Sequence, residues 1–361
     1  MSSYPTPTSP VRVAIIGYGL AGSVFHAPLV SSTPGMSVAA IVTGNRERQQ
    51  RAAHDYPNAA IVSSAQELWR DPSHYDLVVV AAPNRAHVPL GLAAMNAGLP
   101  VVIDKPMAAS AADAERLIET SKKTGKLLTV FQNRRWDNDF LTVRQLLAAD
   151  MLGPIARFES RFDRYRATPR PGSWREFGAP EEAGGLLYDL GSHLIDQAIQ
   201  LFGKPTHVYA EMALRRPNAQ IDDDTFVALQ FENGVNAHLW MSVVARIPGL
   251  RFRISGLRGS YEKAGLDPQE DALRTGMRPG DTNWGIEPRE RWGRLSTDIG
   301  GVHIDGVVET LGGTYETYYA LLRDALLHGG PPPVDPAEVV QVLRVIEAAQ
   351  LSAREGRVVT L

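Results

Sequence analysis

Val11-Arg12-Val13-Ala14-Ile15-Ile16-Gly17-Tyr18-Gly19-Leu20-Ala21-Gly22 is a short apolar run that feeds directly into a glycine-rich turn. Residues 23–30 can continue from it as a helix. The spacing of the glycines suits a dinucleotide's pyrophosphate. The first permits a tight turn, the second lets backbone approach phosphate, and the third lets helix and strand pack closely. A GxGxxG alone is weak evidence; a strand before it and a helix after it make dinucleotide binding the expectation.

Working outward, short apolar runs recur at 38–42, 76–81, 100–103 and 126–131. Helical patterns separate them. One covers 86–96 and closes at Gly98; another covers 110–124 and closes at Gly125, with Ser110 as N-cap and Asp113 at the capping-box position. Continuous apolar strands alternating with helices predict a doubly wound parallel sheet covered on both faces, an α/β Rossmann domain over residues 11–132. After Gln132 the texture changes to alternating runs at 155–165, 206–214, 225–231, 235–244 and 251–255, with Glu232-Asn233-Gly234 as a hairpin turn. These predict an α+β domain over 133–361 with a largely antiparallel open sheet, on which residues 186–201 form one packed helix. Residues 265–301, rich in Gly, Pro and charge, read as long loops, and helical patterns follow at 313–327 and 336–354.

A chain of 361 residues is long for one core, in keeping with two domains. Its net charge of −3, from 37 basic and 40 acidic side chains, gives no reason to expect nucleic acid or an anionic membrane as partner. There is no cysteine, which excludes disulfides, thiolate catalysis and cysteine-based zinc sites and fits a reducing cytoplasm. Residues 1–10, rich in Ser, Thr and Pro, read as a disordered tail without the apolar core of a signal peptide, and no run is long enough to span a bilayer. A cytoplasmic protein is expected. His303 and Asp305 lack a third ligand nearby, so no metal is expected.

Chemistry is concentrated in two distant stretches. Asp104-Lys105-Pro106 offers a lysine just past an apolar strand, and Asp189 and His193, four residues apart, share one face if helical. These are the parts of a proton-transfer site. At the end of the second strand, Val42-Thr43-Gly44-Asn45-Arg46 carries no carboxylate for a ribose 2′-hydroxyl. A hydroxyl, an amide and a guanidinium there suit a 2′-phosphate, so Thr43, Asn45 and Arg46 predict NADP, with NAD possible.

With these pieces placed, the chain resembles the glucose–fructose oxidoreductase and inositol dehydrogenase family of two-domain NAD(P)-dependent sugar dehydrogenases. The resemblance covers nearly the whole chain from Val11. Gly17 to Leu29, Pro83-Asn84-Arg85-Ala86-His87, Asp104-Lys105-Pro106 and Asn133-Arg134-Arg135-Trp136-Asp137 are similar to a subgroup containing NADP-dependent scyllo-inositol dehydrogenases. Two departures stand out: the family's Glu-Lys-Pro is Asp-Lys-Pro here, and Ala183 replaces a usual glycine, a change expected to be harmless.

The resemblance implies that Lys105, Asp189 and His193 form the catalytic constellation and that Pro83, Asn84 and His87 lie near the cofactor. His193 is the first choice as general base because imidazole both takes and returns a proton near neutrality, with Lys105 the alternative. As the non-base, Lys105 would stabilise the developing alkoxide, and Asp189 would orient the histidine or bind a neighbouring hydroxyl. A polyol needs polar groups inside a shaped pocket, for which Arg135, Trp136 and Asp137 at the domain junction and Asp163, Arg164 and Tyr165 at a strand end are candidates. The arginine density at Arg157, Arg161, Arg164, Arg166 and Arg170 invites an anionic substrate. Interleaved Glu159 and Asp163 point instead to an alternating face beside water.

The expected activity is therefore NADP-preferring interconversion of a cyclic polyol or sugar hydroxyl and its ketone, scyllo-inositol foremost. A different sugar, a trans-dihydrodiol, or a non-catalytic NAD(P)-sensing role are the alternatives. The family also implies a homodimer or homotetramer formed through the open sheet of the second domain.

Overall fold

The computed structural model describes residues 9–169, 172, 176 and 182–361. Residues 1–8 of the expected tail and Arg170 lie outside them. Strands β1 (Val11–Ile16), β2 (Met36–Val42), β3 (Ala60–Val62), β4 (Leu77–Val80), β5 (Val101–Asp104) and β6 (Leu128–Phe131) form a six-stranded sheet in the order β3-β2-β1-β4-β5-β6. All its pairs are parallel. β4 is buried at every residue, which is why its sequence is unbroken Leu-Val-Val-Val rather than alternating. The strand order reverses between β1 and β4, and a ligand crevice opens beyond the carboxyl ends of strands at such a point. Edge strand β3 is only three residues long and partly exposed, too short to leave a periodic signal.

The second sheet comprises β7 (Ile155–Asp163), β8 (Pro205–Ala213), β9 (Asp224–Phe231), β10 (Asn236–Ser242), β11 (Phe252–Gly256), β12 (Gly259–Lys263), β13 (Gly293–Ile299), β14 (Val302–Val308) and β15 (Val359–Thr360). Its order is β14-β13-β12-β11-β7-β10-β9-β8-β15, antiparallel except where β7 meets β10. Alternation sets the faces: Phe158, Ser160 and Phe162 point inward and are fully buried. The helix Ser192–Phe202 covers this face, with the Phe202 ring 5.4 Å from Phe158 and 5.5 Å from Phe231.

Residues 265–301 are not the long loops expected from their composition. They hold the helix Gln269–Arg274 and strand β13, which turns at Gly300 and Gly301 into β14. β13 buries only Gly293, Leu295 and Thr297, and β14 is exposed along almost its whole length. Their pairing comes from the ladder begun by β12, a tertiary cause that local hydrophobicity does not reveal.

The last helices return to the first sheet. Tyr318 and Tyr319, on the helix Glu316–His328, pack their rings 5.0 and 5.9 Å from Phe131 of β6. The helix Pro336–Glu355 bonds to both halves: Glu347 accepts from the Ala111 amide, and the Ser352 hydroxyl accepts from the Ala210 amide of β8. At the junction, buried Arg135 forks onto Asp196 at 2.9 and 2.6 Å and reaches Glu338 at 2.6 Å. Removing the guanidinium strands a buried carboxylate, so Arg135→Leu is expected to lower stability by about 3–5 kcal/mol in urea unfolding. A variant as stable as the parent would show that the fork contributes nothing.

Candidate active site

The glycine turn after β1 is shaped by close approach. Gly17 has φ +103°, and a Cβ there would lie 2.4 Å from the Ala81 carbonyl oxygen. A Cβ on Gly22 would fall 1.9 Å from the Gly17 carbonyl oxygen, so helix and strand meet at a distance that excludes any side chain. Gly19 instead faces open space: a Cβ there would meet only an Arg48 guanidinium nitrogen, at 3.7 Å. A cradle of backbone with room in front of it fits a pyrophosphate. Buried Tyr18 donates to Asp55 at 2.8 Å, while Arg51 lies over its ring and donates to its carbonyl oxygen. The turn then enters a π-helical segment, Ala21–His26, and Leu20 and Ala21 line a cavity.

At the end of β2, Thr43 is buried and Asn45 caps the helix Arg46–Asp55 by accepting from the Arg48 amide at 2.9 Å. Arg46 is exposed beside them. Neither Arg46 nor Arg48 has a side-chain partner among the described residues. Sequence reasoning misses Arg48, although its helical position two residues beyond Arg46 lies in plain view.

Pro83 opens a short turn after β4, and buried Asn84 donates to the Glu182 carbonyl oxygen at 2.8 Å. His87 sets its two ring nitrogens 2.8 and 2.9 Å from the carbonyl oxygens of Pro106 and Ala82. Burial pulls its pKa down despite nearby Asp104. Both side chains bind backbone, and neither is among the cavity-lining residues.

The cavity measures about 220 Å³ and brings Leu20 and Ala21 together with Lys105, Asp189 and His193. Lys105 projects from just past β5 and donates to Asp189 Oδ1 at 2.9 Å and to the Asp189 carbonyl oxygen. Asp189 therefore grips the lysine. It sits in a second π-helical segment, Leu187–Gly191, ahead of the helix carrying His193; such segments recur at functional sites because they reposition side chains. Buried His193 leaves Nδ1 without a hydrogen-bond partner among the described residues. Burial, then the charges of Lys105, Arg134, Arg251 and Arg164, hold its pKa well below the usual imidazole value. Asp104 accepts from the Lys105 amide at 2.9 Å and stands 3.8 Å from His26. Burial pushes its carboxyl up, but His26, His87 and Lys105 together leave it below the ordinary range.

The other expected substrate contacts lie elsewhere. Arg135 is consumed by its fork, and the Trp136 ring packs 5.7 Å from Tyr318. Asp137 accepts from the Tyr315 hydroxyl at 2.7 Å, and burial pushes its carboxyl up to about 6. Asp163 accepts from the Gly249 amide, and exposed Tyr165 lies under Arg246. Arg164 and Arg166 line the cavity rather than a water-facing stripe. Arg134, Arg216, Glu270 and Arg274 line it too; Arg134 stands inside a quoted motif, whereas the other three carry no motif of their own.

Comparison with known proteins matches both domains of the fold. Residues 11–132 match the oxidoreductase family's NAD-binding Rossmann fold, and residues 144–361 match its C-terminal alpha/beta domain. The uncharacterized oxidoreductase YdgJ of Escherichia coli is 41% identical, over 95% of this chain and 96% of its own. The scyllo-inositol 2-dehydrogenase (NADP(+)) IolW of Bacillus subtilis is 38% identical, over 97% of this chain and 96% of its own. The solved structure of yvaA from Bacillus subtilis superposes with a TM-score of 0.93 at 37% identity, covering 98% of this chain and 99% of that one.

Ala183 is less innocuous than its small size suggests. It is buried with φ +44°, the left-handed region, and Asn84 pins the adjoining Glu182 carbonyl. A Cβ in that region costs roughly 1–2 kcal/mol, partly offset by the greater chain freedom glycine would lose on folding. Ala183→Gly is therefore expected to raise stability by about 0.5–1 kcal/mol, read as a higher urea midpoint. A lower midpoint would contradict the strain.

Proposed function

The chain belongs to the GFO/IDH/MocA oxidoreductase family, and from that membership we propose that it interconverts a secondary hydroxyl of a cyclic polyol and its ketone, using NADP by preference. Scyllo-inositol is the foremost substrate, a reading supported by the likeness to IolW over almost the full length of both chains. The observation that carries the reaction class is the meeting of Lys105, Asp189 and His193 in the cavity that the glycine turn also borders.

The Gly17–Gly22 turn would hold the dinucleotide's pyrophosphate, and the bound nicotinamide supplies the acceptor for the hydride of the substrate C–H bond. Lys105 is placed to donate a hydrogen bond to the reacting oxygen and to stabilise the alkoxide that forms as the proton leaves. Asp189 fixes the ammonium by its 2.9 Å contact, so the donor does not have to be ordered during reaction. His193 receives the proton. Its lowered pKa keeps the ring neutral at neutral pH, the form a base requires.

Preference for NADP rests on Arg46 and Arg48, two guanidiniums beside β2 and the glycine turn with no side-chain partner among the described residues. Thr43 and Asn45 shape the chain just after β2, their side chains serving the local backbone. On the outer face of the second sheet, Phe226 and Trp240 lie 5.1 Å apart with Arg161 over the indole, an aromatic surface on which a second copy can pack.

His193→Ala is expected to lower turnover by on the order of 10²–10⁴ while leaving NADPH affinity nearly intact. For the parent, the acid limb of oxidation that reports His193 should fall below the ordinary histidine range, because protonation of a depressed imidazole begins only at lower pH. An unchanged rate for the variant would remove His193 from proton transfer. Arg46→Ala and Arg48→Ala are each expected to weaken NADP by roughly 10–100-fold and NAD much less, since a lost charge-assisted bond is worth roughly 1.5–3 kcal/mol. Equal weakening of both dinucleotides would refute the phosphate role.

A further inference from the structure

Among the described residues, six cationic side chains line the cavity: Lys105, Arg134, Arg164, Arg166, Arg216 and Arg274. Five carboxylates, Asp104, Glu176, Asp189, Asp222 and Glu270, line it with them, so one positive charge is in excess. Five of the six cations are engaged in ion pairs. Lys105 pairs with Asp189, Arg134 and Arg274 share Glu270, and Arg166 and Arg216 share Glu176. Arg164 alone among these cations makes no side-chain hydrogen bond or close ion pair among the described residues, although it stands within electrostatic reach of Glu270.

Its position is built rather than incidental. Beyond β7 the chain remains extended, with the Arg164 amide donating to the Ser242 carbonyl oxygen and the Arg166 amide to that of Val243, each at 2.8 Å. Residues two apart on an extended chain share a side, so Arg164 and Arg166 both face the cavity while Tyr165 faces solvent. Arg164 is half-buried, close enough to His193 and Glu270 to act on the charge of both. With no carboxylate oxygen accepting from it, the guanidinium keeps its donors open to a ligand in the cavity.

We propose that the substrate carries an oxyanion, a carboxylate or a phosphate, besides its reacting hydroxyl, and that Arg164 binds this group as a charge-assisted fork. The proposal rests on the polyol-oxidising reading of the site and, within it, moves the substrate from neutral scyllo-inositol to an acidic sugar or polyol. A guanidinium offers two parallel donors to such a group, a geometry that a single neutral hydroxyl does not fill. The oxyanion would also offset the cations around His193, making the imidazole a stronger base when substrate is bound than when the cavity holds water.

The test is calorimetric binding to the NADP-saturated protein of D-glucuronate and myo-inositol 1-phosphate, each against its neutral counterpart, glucose or myo-inositol. At least one anion should bind on the order of 10–100-fold more tightly than its counterpart. Preference for the uronate or the phosphate identifies the group. Arg164→Gln should abolish that ratio, and Arg164→Lys, which keeps the charge but loses the fork, should retain part of it. The proposal is overturned if neither anion is preferred by the parent, a result that requires no variant, or if the preference survives Arg164→Gln. Cofactor reduction with the same compounds is scored separately: neutral polyols turned over without anion preference refute only the oxyanion, whereas anion-selective binding with no turnover of any compound refutes the polyol-oxidising reading.

Discussion

A guanidinium buried between domains has to find carboxylates, and Arg135 finds two. Its fork onto Asp196 and its bond to Glu338 join the segment after the first sheet, the helix bearing His193 and the long C-terminal helix. Because desolvated charge is tolerated only when paired in good geometry, the contact fixes orientation as well as proximity. Three residues from Asp196 on the same helix, His193 inherits that orientation. A second tie reinforces it: fully buried Arg251 bonds Gln197, which in turn donates to the Arg134 carbonyl oxygen. The histidine is thus held by neighbours that take no part in proton transfer.

Lys105 comes from the other side of the junction. The end of β5 delivers it, as the ends of parallel strands deliver ligands in doubly wound sheets, and Asp189 meets it across 84 residues of sequence. The ion pair is therefore both a part of the site and a gauge of domain placement. Two of the helical segments bordering the cavity open with π-helical geometry, Ala21–His26 on the cofactor side and Leu187–Gly191 on the substrate side. In each, the wider turn interrupts the regular progression of side chains next to a residue that must face the cavity.

Much of the fold is legible in the sequence because buried strands and capped helices leave local marks. Leu77–Val80 reads as a strand buried on both faces, and Ser110 with Gly125 brackets the helix Ala111–Thr124 as expected. The same local reading fails for β13 and β14, whose stability comes from pairing with β12 rather than from their own hydrophobicity. In the site, Lys105, Asp189 and His193 are visible as residue types able to carry the chemistry. Their pairing is not: sequence points Asp189 at the histidine or a substrate hydroxyl, and it holds the lysine. Arg135, Trp136 and Asp137 look like pocket residues because polar and aromatic groups at a junction serve packing and recognition equally well. Only knowledge of which carboxylate meets which arginine separates the two uses. Asp196 and Glu338 lie 61 and 203 residues from Arg135, and Glu270 lies 136 residues from Arg134.

The electrostatics of the cavity bear directly on how a secondary alcohol can lose its proton. An isolated alcohol is far too weak an acid for a neutral imidazole, so transfer becomes feasible only if the oxygen is acidified or the base strengthened. Lys105 acts on the oxygen, and its pairing with Asp189 keeps the ammonium in place. Burial of His193, and after it the surrounding cations, act in the opposite sense on the base, keeping it unprotonated but lowering its affinity for the proton it must accept. The site is thus set toward a free base at the expense of a strong one. Such a balance favours reaction only if proton affinity rises once substrate is seated, whether by exclusion of water or by charge that the substrate brings. Arg164, the cavity cation that makes no side-chain hydrogen bond or close ion pair among the described residues, is the point at which substrate charge and base strength become coupled.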